Sequence, residues 1–236
     1  MLGSDSIPPG TARAITHVIY DMDGVLLDTE PFYTDASCTV CARYGVELPP
    51  ALKARMIGRP AIDSARILVE ALALPISPER FVAEREAILD ALFPATEPLP
   101  GARELTAHLH AHGIPQAVAS SSEQRLFALK TARHRDWFAR FAHIVLGDDP
   151  EVHAGKPAPD LFLVAARRLG ADPACCLVIE DAPAGVTAAL AARMAVVAVP
   201  DAAMPPTLFA DAHAVVATLA DLELAAWGLP PLAPSA

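Results

Sequence analysis

"HVIYDMDGVLLDTE", residues 17–30, is the stretch on which the reading of this chain turns. The β-favouring residues Val18, Ile19 and Tyr20 run straight into Asp21 and Asp23, with Gly24 next and a second apolar run behind it. Alone, the string fits a strand closed by an Asx-type turn. A buried strand that delivers two carboxylates to its tip raises the other reading, that something at the tip needs them. The rest of the chain has to decide.

Apolar runs at 15–20, 114–119, 143–146, 176–179 and 195–199 alternate with helical segments. This alternation predicts a parallel sheet with helices on both faces. Such sheets carry their sites at the carboxyl ends of the strands. The residues after these runs are Asp21, Ser120, Gly147-Asp148, Glu180-Asp181 and Pro200-Asp201. Polar groups therefore gather at one edge of an apolar sheet, which favours a functional Asp21. For Asp148 and Asp149 a supporting acidic role and plain loop solvation both stay open.

Residues 31–97 break the alternation. AIDSARILVEALAL and SPERFVAEREAILDALF carry apolar positions at three-to-four spacing, and no strand run stands out. Pro31 opens the segment and PATEPLPG closes it. We expect a core domain over 1–30 and 98–236, with 1–14 as a flexible leader, and a helical cap domain over 31–97 lying across the sheet edge.

The 236 residues suffice for such a core plus insert, and 53% hydrophobic composition supplies its interior. The 23 prolines fall mostly between periodic segments. A net charge of −10 without a basic block argues against a nucleic-acid partner and against a polybasic membrane anchor. No apolar stretch approaches the ~20 residues of a membrane span. MLGSDSIPPGTARA lacks the charged start and apolar block of a secretion signal, so a cytoplasmic protein is expected.

Cys38, Cys41, Cys175 and Cys176 fit a reducing compartment. Cys38 and Cys41 form a CxxC, but in a helical segment without a second pair at zinc-ribbon spacing, which favours buried structural thiols. His108 and His112 share a helix face, and a helix surface is preferred there over a metal site.

Three more stretches complete the pattern: AVASSSE at 117–123, GKPAPD at 155–160 and VIEDAPAGV at 178–186. With DMDGVLLDTE they form an ordered series of Asp-x-Asp, Ser, Lys and Glu-Asp, each near a predicted strand end. In this the chain resembles the phosphohydrolases of the haloacid dehalogenase (HAD) superfamily, from about residue 15 to its end. HIVLGDDPEV, GIPQAVASSS and CLVIEDAPAGVTAALAA are further similar to the pseudouridine-5′-phosphatase branch. The resemblance implies an α/β fold, a Rossmann-like parallel-sheet HAD core with an inserted α-helical cap. It implies a small phosphorylated metabolite or nucleotide as substrate, and a monomer is expected as the working unit.

The chemistry accounts for the residue types. A phosphate monoester is a dianion that repels an attacking carboxylate, and a hard divalent cation such as Mg²⁺ offsets this. Asp21 would attack phosphorus and form an aspartyl-phosphate. Asp23 would protonate the leaving oxygen and later accept a proton from water. The resemblance implies that Asp21, the Asp23 backbone carbonyl and Asp181 hold the metal, with Glu180 acting through water. Gly24 permits the turn that brings backbone amides toward the phosphoryl oxygens. Ser120, in preference to Ser121 or Ser122, would donate to a phosphoryl oxygen, with neighbouring amides helping, while Lys156 offsets the charge that builds there. Gly58 and Arg59 are the cap's candidates for closing over the substrate, with a solvated Arg59 the equal alternative.

Asp23 argues against dehalogenation, which needs no acid for an alkoxide. A β-phosphoglucomutase-like phosphotransferase would keep both aspartates but carries a histidine on the cap hinge, where Tyr33 stands here. Phosphatases of sugar phosphates, glycerol phosphate or FMN share much of the pattern and remain alternatives to the pseudouridine ester. A non-catalytic binding protein finds no support, since every chemistry-bearing position is filled.

Overall fold

A computed structural model describes residues 14–49, 52, 56 and 61–232. Gly58, Arg59 and all of the expected leader except Ala14 lie outside the described residues. At the centre is a six-stranded sheet built from β1 (His17–Tyr20), β4 (Gln116–Ala119), β5 (His143–Val145), β6 (Cys176–Glu180), β7 (Ala195–Ala198) and β8 (Ala214–Val215). Its order is β5-β4-β1-β6-β7-β8, and every pairing is parallel. The chain thus winds out to one side of β1 and then to the other. That places a topological switch point beside β1, where α/β sheets open a crevice.

Five strands coincide with the apolar runs; β1, β4, β6 and β7 are buried almost throughout, and a strand buried on both faces reads as a continuous run of β-branched and aliphatic residues. Side-chain alternation splits them between two cores. Val18, Tyr20, Val118, Leu177 and Ile179 face one way, against α4 (Ala102–Ala111), α6 (Arg135–Phe138) and the C-terminal turns around Trp227. Ile19, Ala117, Ala119 and Val178 face the other, against α7 (Asp160–Leu169) and α8 (Pro183–Ala191). β8 went unforeseen. It has two residues, one of them the exposed Val215, and exists by pairing with β7 rather than by any periodicity of its own.

The helical segment leaves and returns through a two-stranded antiparallel stitch, β2 (Leu27–Asp28) on β3 (Glu97–Pro98). β3 begins at the last residue of the stretch expected to hold no strand. Between them run α1 (Glu30–Arg43), α2 (Ala61–Ala71) and α3 (Pro78–Leu92). Ser77 caps α3 by accepting the Arg80 N–H at 3.2 Å, and Pro78 stands in its first turn. These helices bury a core of their own, with Val40, Cys41, Ala65, Leu68 and Phe81. Cys41 is buried and Cys38 exposed, both as free thiols. On α4 and at its C-terminal cap, the His108 and His112 rings each engage a backbone carbonyl, of Pro230 and His108 respectively.

Candidate active site

The end of β1 is pinned to β6 where the Asp21 N–H donates to the Ile179 carbonyl at 2.9 Å. The chain then turns sharply, with the Met22 carbonyl accepting from the N–H groups of both Leu26 and Leu27. Gly24 takes the left-handed conformation, φ +74°. A Cβ there would also fall 2.2 Å from Oδ2 of Asp181. Glycine is therefore required twice, by backbone and by space. The turn brings Asp21, Asp23 and the β6 tip into one crevice.

Asp21 is buried and accepts a hydrogen bond from Lys156 Nζ on Oδ1. The same ammonium donates to Glu180 Oε1 at 2.7 Å and to the Ala119 carbonyl at 3.1 Å. Glu180 spends its other oxygen on the N–H groups of Asp181 (2.9 Å) and Ala182 (2.8 Å), at the start of α8. This tuck needs Gly185, where a Cβ would lie 1.8 Å from Glu180 Oε1. Burial pushes Asp21 up to about 7, with Glu180 and Asp23 adding to the rise against the opposing charge of Lys156. Asp181 is raised well above its ordinary range, by burial first and then by Glu180 and Asp21. Burial would lower Lys156, but its two carboxylate partners hold it above its usual value.

Asp23 lives in a different setting. Lys130, at the end of α5 (Gln124–Lys130), donates to both of its oxygens, at 2.7 and 2.8 Å. Ser122 Oγ donates to Asp23 Oδ2 at 2.9 Å and accepts from Lys130 at the same distance. Lys130 also reaches the Tyr33 hydroxyl at 3.2 Å and sits 4.6 Å from the Phe93 ring centroid. Burial would raise Asp23, but the Lys130 charge and hydrogen bonds override it and hold its carboxyl below the usual range.

A cavity of about 460 Å³ opens over these groups. Asp21, Asp23, Gly24, Ser120, Ser121, Lys156, Glu180 and Asp181 line its floor, and residues of the helices between β2 and β3, including Tyr33, Ser37, Ser64 and Arg85, line its roof. Ser120 is buried, and its hydroxyl accepts the Ser122 N–H at 3.1 Å. Ser122 itself is not among the lining residues, its hydroxyl being engaged with Asp23 and Lys130. Asp148 accepts the Gln124 N–H at the start of α5, and Asp149 forms a two-pronged pair with Arg168 at 2.7 and 2.9 Å. Both are structural contacts outside the cavity lining.

Three groups escaped the sequence reading: Lys130, Arg85 and Gly185. Lys130 follows Leu126 and Phe127 at helical spacing, and Arg85 stands between Phe81 and Leu89 in the same way. A charged residue inside an apolar stripe was the available signal. Gly185 carried none beyond its place in VIEDAPAGV.

The donor set fits a hard divalent cation. Asp21 and Glu180 share the single ammonium of Lys156 with Asp181 nearby, and burial, then the mutual repulsion of these carboxylates, keeps Asp21 and Asp181 raised. Gly24 leaves the space beside Asp181 clear. Among the described residues no three His, Cys, Asp or Glu side chains form a ready metal-holding group. Two carboxylates, Asp21 and Asp181, with the Asp23 carbonyl and water would suit Mg²⁺, which keeps several waters.

Set against known proteins, the haloacid dehalogenase-like hydrolase family matches residues 15–193. An Arabidopsis thaliana protein named (DL)-glycerol-3-phosphatase 2 is 48% identical over 223 residues, spanning 92% of this chain and 93% of the relative. A Drosophila melanogaster protein named "Probable pseudouridine-5′-phosphatase" is 44% identical over 221 residues, spanning 92% and 96%. A HAD family hydrolase from Deinococcus radiodurans R1, solved with bound phosphate and sodium, superimposes with a TM-score of 0.76 at 27% identity, covering 93% and 99%.

Proposed function

Because this chain belongs to the haloacid dehalogenase-like hydrolase family, we propose that it hydrolyses phosphate monoesters through an aspartyl-phosphate on Asp21, with Mg²⁺ as cofactor. The observation that carries this reading is the opposite treatment of two aspartates in one crevice. Asp21 faces the cavity beside Lys156, while Asp23 is clasped by Lys130 and Ser122.

An Asp21 oxygen attacks phosphorus, and the bond from phosphorus to the ester oxygen breaks. Lys130 holds Asp23 ionised, so the proton that quenches the leaving alkoxide passes from the Lys130 ammonium through Asp23, and the pair takes one back from the water that attacks phosphorus and frees the Asp21 carboxylate. Lys156 and the Ser120 region counter the charge on the phosphoryl oxygens. Bound at Asp21, the Asp23 carbonyl and Asp181, Mg²⁺ would neutralise the incoming dianion. The helices between β2 and β3 serve as a cap that shelters the reaction from water.

Within this class, our preferred ester is pseudouridine 5′-phosphate. The supporting observation is size, since about 460 Å³ admits a whole nucleoside and exceeds what glycerol would fill. Glycerol phosphate is the second reading, favoured by the 48% identity to a relative of that name. A cytoplasmic setting is supported by four free thiols, and no helix among the described residues is long and apolar enough to cross a membrane.

Phosphate release with Mg²⁺, measured over pseudouridine 5′-phosphate, UMP, glycerol 3-phosphate, FMN and hexose phosphates, tests both levels. The highest kcat/KM is expected for pseudouridine 5′-phosphate. A win for another ester overturns the finer reading, and absence of turnover on all of them overturns the class.

A further inference from the structure

Arg85 is an anomaly in the cap. It sits on α3 in the apolar stripe between Phe81 and Leu89, and it is only 5% exposed. Its Nε is buried without a hydrogen-bond partner. Among the described residues no carboxylate lies within ion-pairing distance of it; Glu86 and Glu30 act on its charge only from further away. Its guanidinium carbon lies 5.7 Å from the Tyr33 ring centroid and 6.0 Å from that of Phe81. Aromatic faces offset part of the cost of burying a cation, but they accept no directed N–H bond of the strength a carbonyl would.

Proteins rarely leave a buried guanidinium short of acceptors, because the desolvated donor costs more than the packing returns. Arg85 does so while lining the cavity that holds Asp21 and Lys156. Its neighbours there cannot serve the same purpose. The Ser37 hydroxyl already donates to the Tyr33 carbonyl at 2.7 Å, and the Ser64 hydroxyl to the Met56 carbonyl at 3.0 Å. The phosphate end of the cavity has its own cation in Lys156. What Arg85 lacks is an acceptor at the roof, where the alcohol part of an ester would lie.

We propose that Arg85 is a substrate-binding residue whose guanidinium donates to an acceptor oxygen on the alcohol part of the phosphate ester. The inference rests on the phosphatase reading and deepens it, because it restricts the good substrates to esters whose alcohol carries a hydroxyl, carbonyl or carboxylate oxygen. Through Tyr33, the same residue adjoins the Lys130–Asp23 clasp, so the group that reads the alcohol stands next to the group that protonates it. An arginine kept unsatisfied for a ligand also makes an unusual stability forecast: its removal should not destabilise the protein.

The test compares wild type with Arg85→Met on glycerol 3-phosphate (hydroxyls), 2-phosphoglycolate (carboxylate), pseudouridine 5′-phosphate (ribose hydroxyls and ring carbonyls) and phenyl phosphate (no second acceptor). The ratio of kcat/KM for the best acceptor-bearing ester to that for phenyl phosphate should fall about 10- to 100-fold, mainly through KM, the range of one charge-assisted hydrogen bond. The ester that loses most identifies the acceptor. The Tm should hold or rise. Should the methionine variant not fold, Arg85→Lys, which keeps the charge but loses the planar fork of donors, should lose part of the same ratio, and a ratio left unchanged overturns the proposal. An equal loss on all four esters, or a Tm drop of several degrees with the ratio unchanged, overturns the proposal and makes Arg85 structural. Failure of the wild type to hydrolyse any of the four overturns the phosphatase reading and this inference with it.

Discussion

Lys130 Nζ stands 2.7 and 2.8 Å from the two carboxylate oxygens of Asp23, a residue 107 positions earlier in the chain. The ammonium is wholly buried, while the Asp23 side chain keeps 25% of its surface open toward the cavity. The lysine therefore meets the cavity only through Asp23, which it orients and holds ionised from behind.

Replacing Lys130 with Met should damage proton transfer more than attack. Activity on an alkyl phosphate is expected to fall about 10²-fold or more, the usual contribution of an acid–base group. Phosphate release from p-nitrophenyl phosphate should fall less, because nitrophenolate leaves without a proton. An equal loss on both esters would contradict the positioning role. Unpairing Asp23 should also cost roughly 3 kcal/mol of stability.

Asp21→Asn should abolish turnover and stabilise the metal-free protein at alkaline pH. The Asp21 carboxyl is pushed up to about 7 in the folded state, against about 4 unfolded. Its contribution to stability is then fully present below about pH 4 and lost as pH rises through about 7. Metal-free wild type should therefore lose Tm over that window, and the asparagine variant should lose less. Mg²⁺ at about a hundred times its Kd should add about 2.7 kcal/mol, or roughly 5–10 °C. A Tm indifferent to both Mg²⁺ and EDTA would refute the assignment of the metal.

Gly24→Ala should impair Mg²⁺ binding specifically. The left-handed backbone alone costs an alanine about 1–2 kcal/mol, and the new Cβ would displace the Asp181 carboxylate. Gly113 has nearly the same φ, +70°, with nothing within 4 Å of its Cβ position. Gly113→Ala thus shares the strain without the clash. A Mg²⁺ titration of activity should shift about tenfold or more for Gly24→Ala only. Equal shifts in the two variants would remove Gly24 from the metal cradle.

Arg168→Gln should lower stability by about 1 kcal/mol near neutral pH, since the two-pronged Asp149 pair is partly shielded and joined by Glu151. The Arg168 guanidinium holds Asp149 below its usual range. That stabilisation is present above about pH 4 and is lost as pH falls through the lower folded value. Thermal melts of the two proteins should therefore diverge at pH 7 and converge toward pH 2. Parallel curves throughout would mean the pair contributes nothing.

Much of the floor of the site is legible in the amino-acid sequence. Asp21, Ser120, Glu180 and Asp181 each end a strand whose apolar run is visible in a few residues, and the parallel sheet brings those ends together. Lys156 was readable from the GKPAPD loop. The three serines were readable only as a group. Which of them faces the cavity and which supports Asp23 depends on a single turn, where the Ser122 N–H bonds back to Ser120.

By itself, then, the amino-acid sequence determined the parallel sheet, the helical insertion and the order of the carboxylates and lysine along the sheet edge. Each of these is encoded locally, in periods of two or about three and a half residues and in the residue that breaks the period. The tertiary structure alone decided that Lys130 belongs to Asp23, that Ser122 stands behind Asp23, and that Arg85 lines the cavity with its Nε left unpartnered. Those relations join residues on different elements, and they depend on how α3 and α5 are rotated as they pack across the sheet edge. A charge in an apolar stripe can be seen in one dimension, but the partner it was placed there to meet appears only when the faces come together.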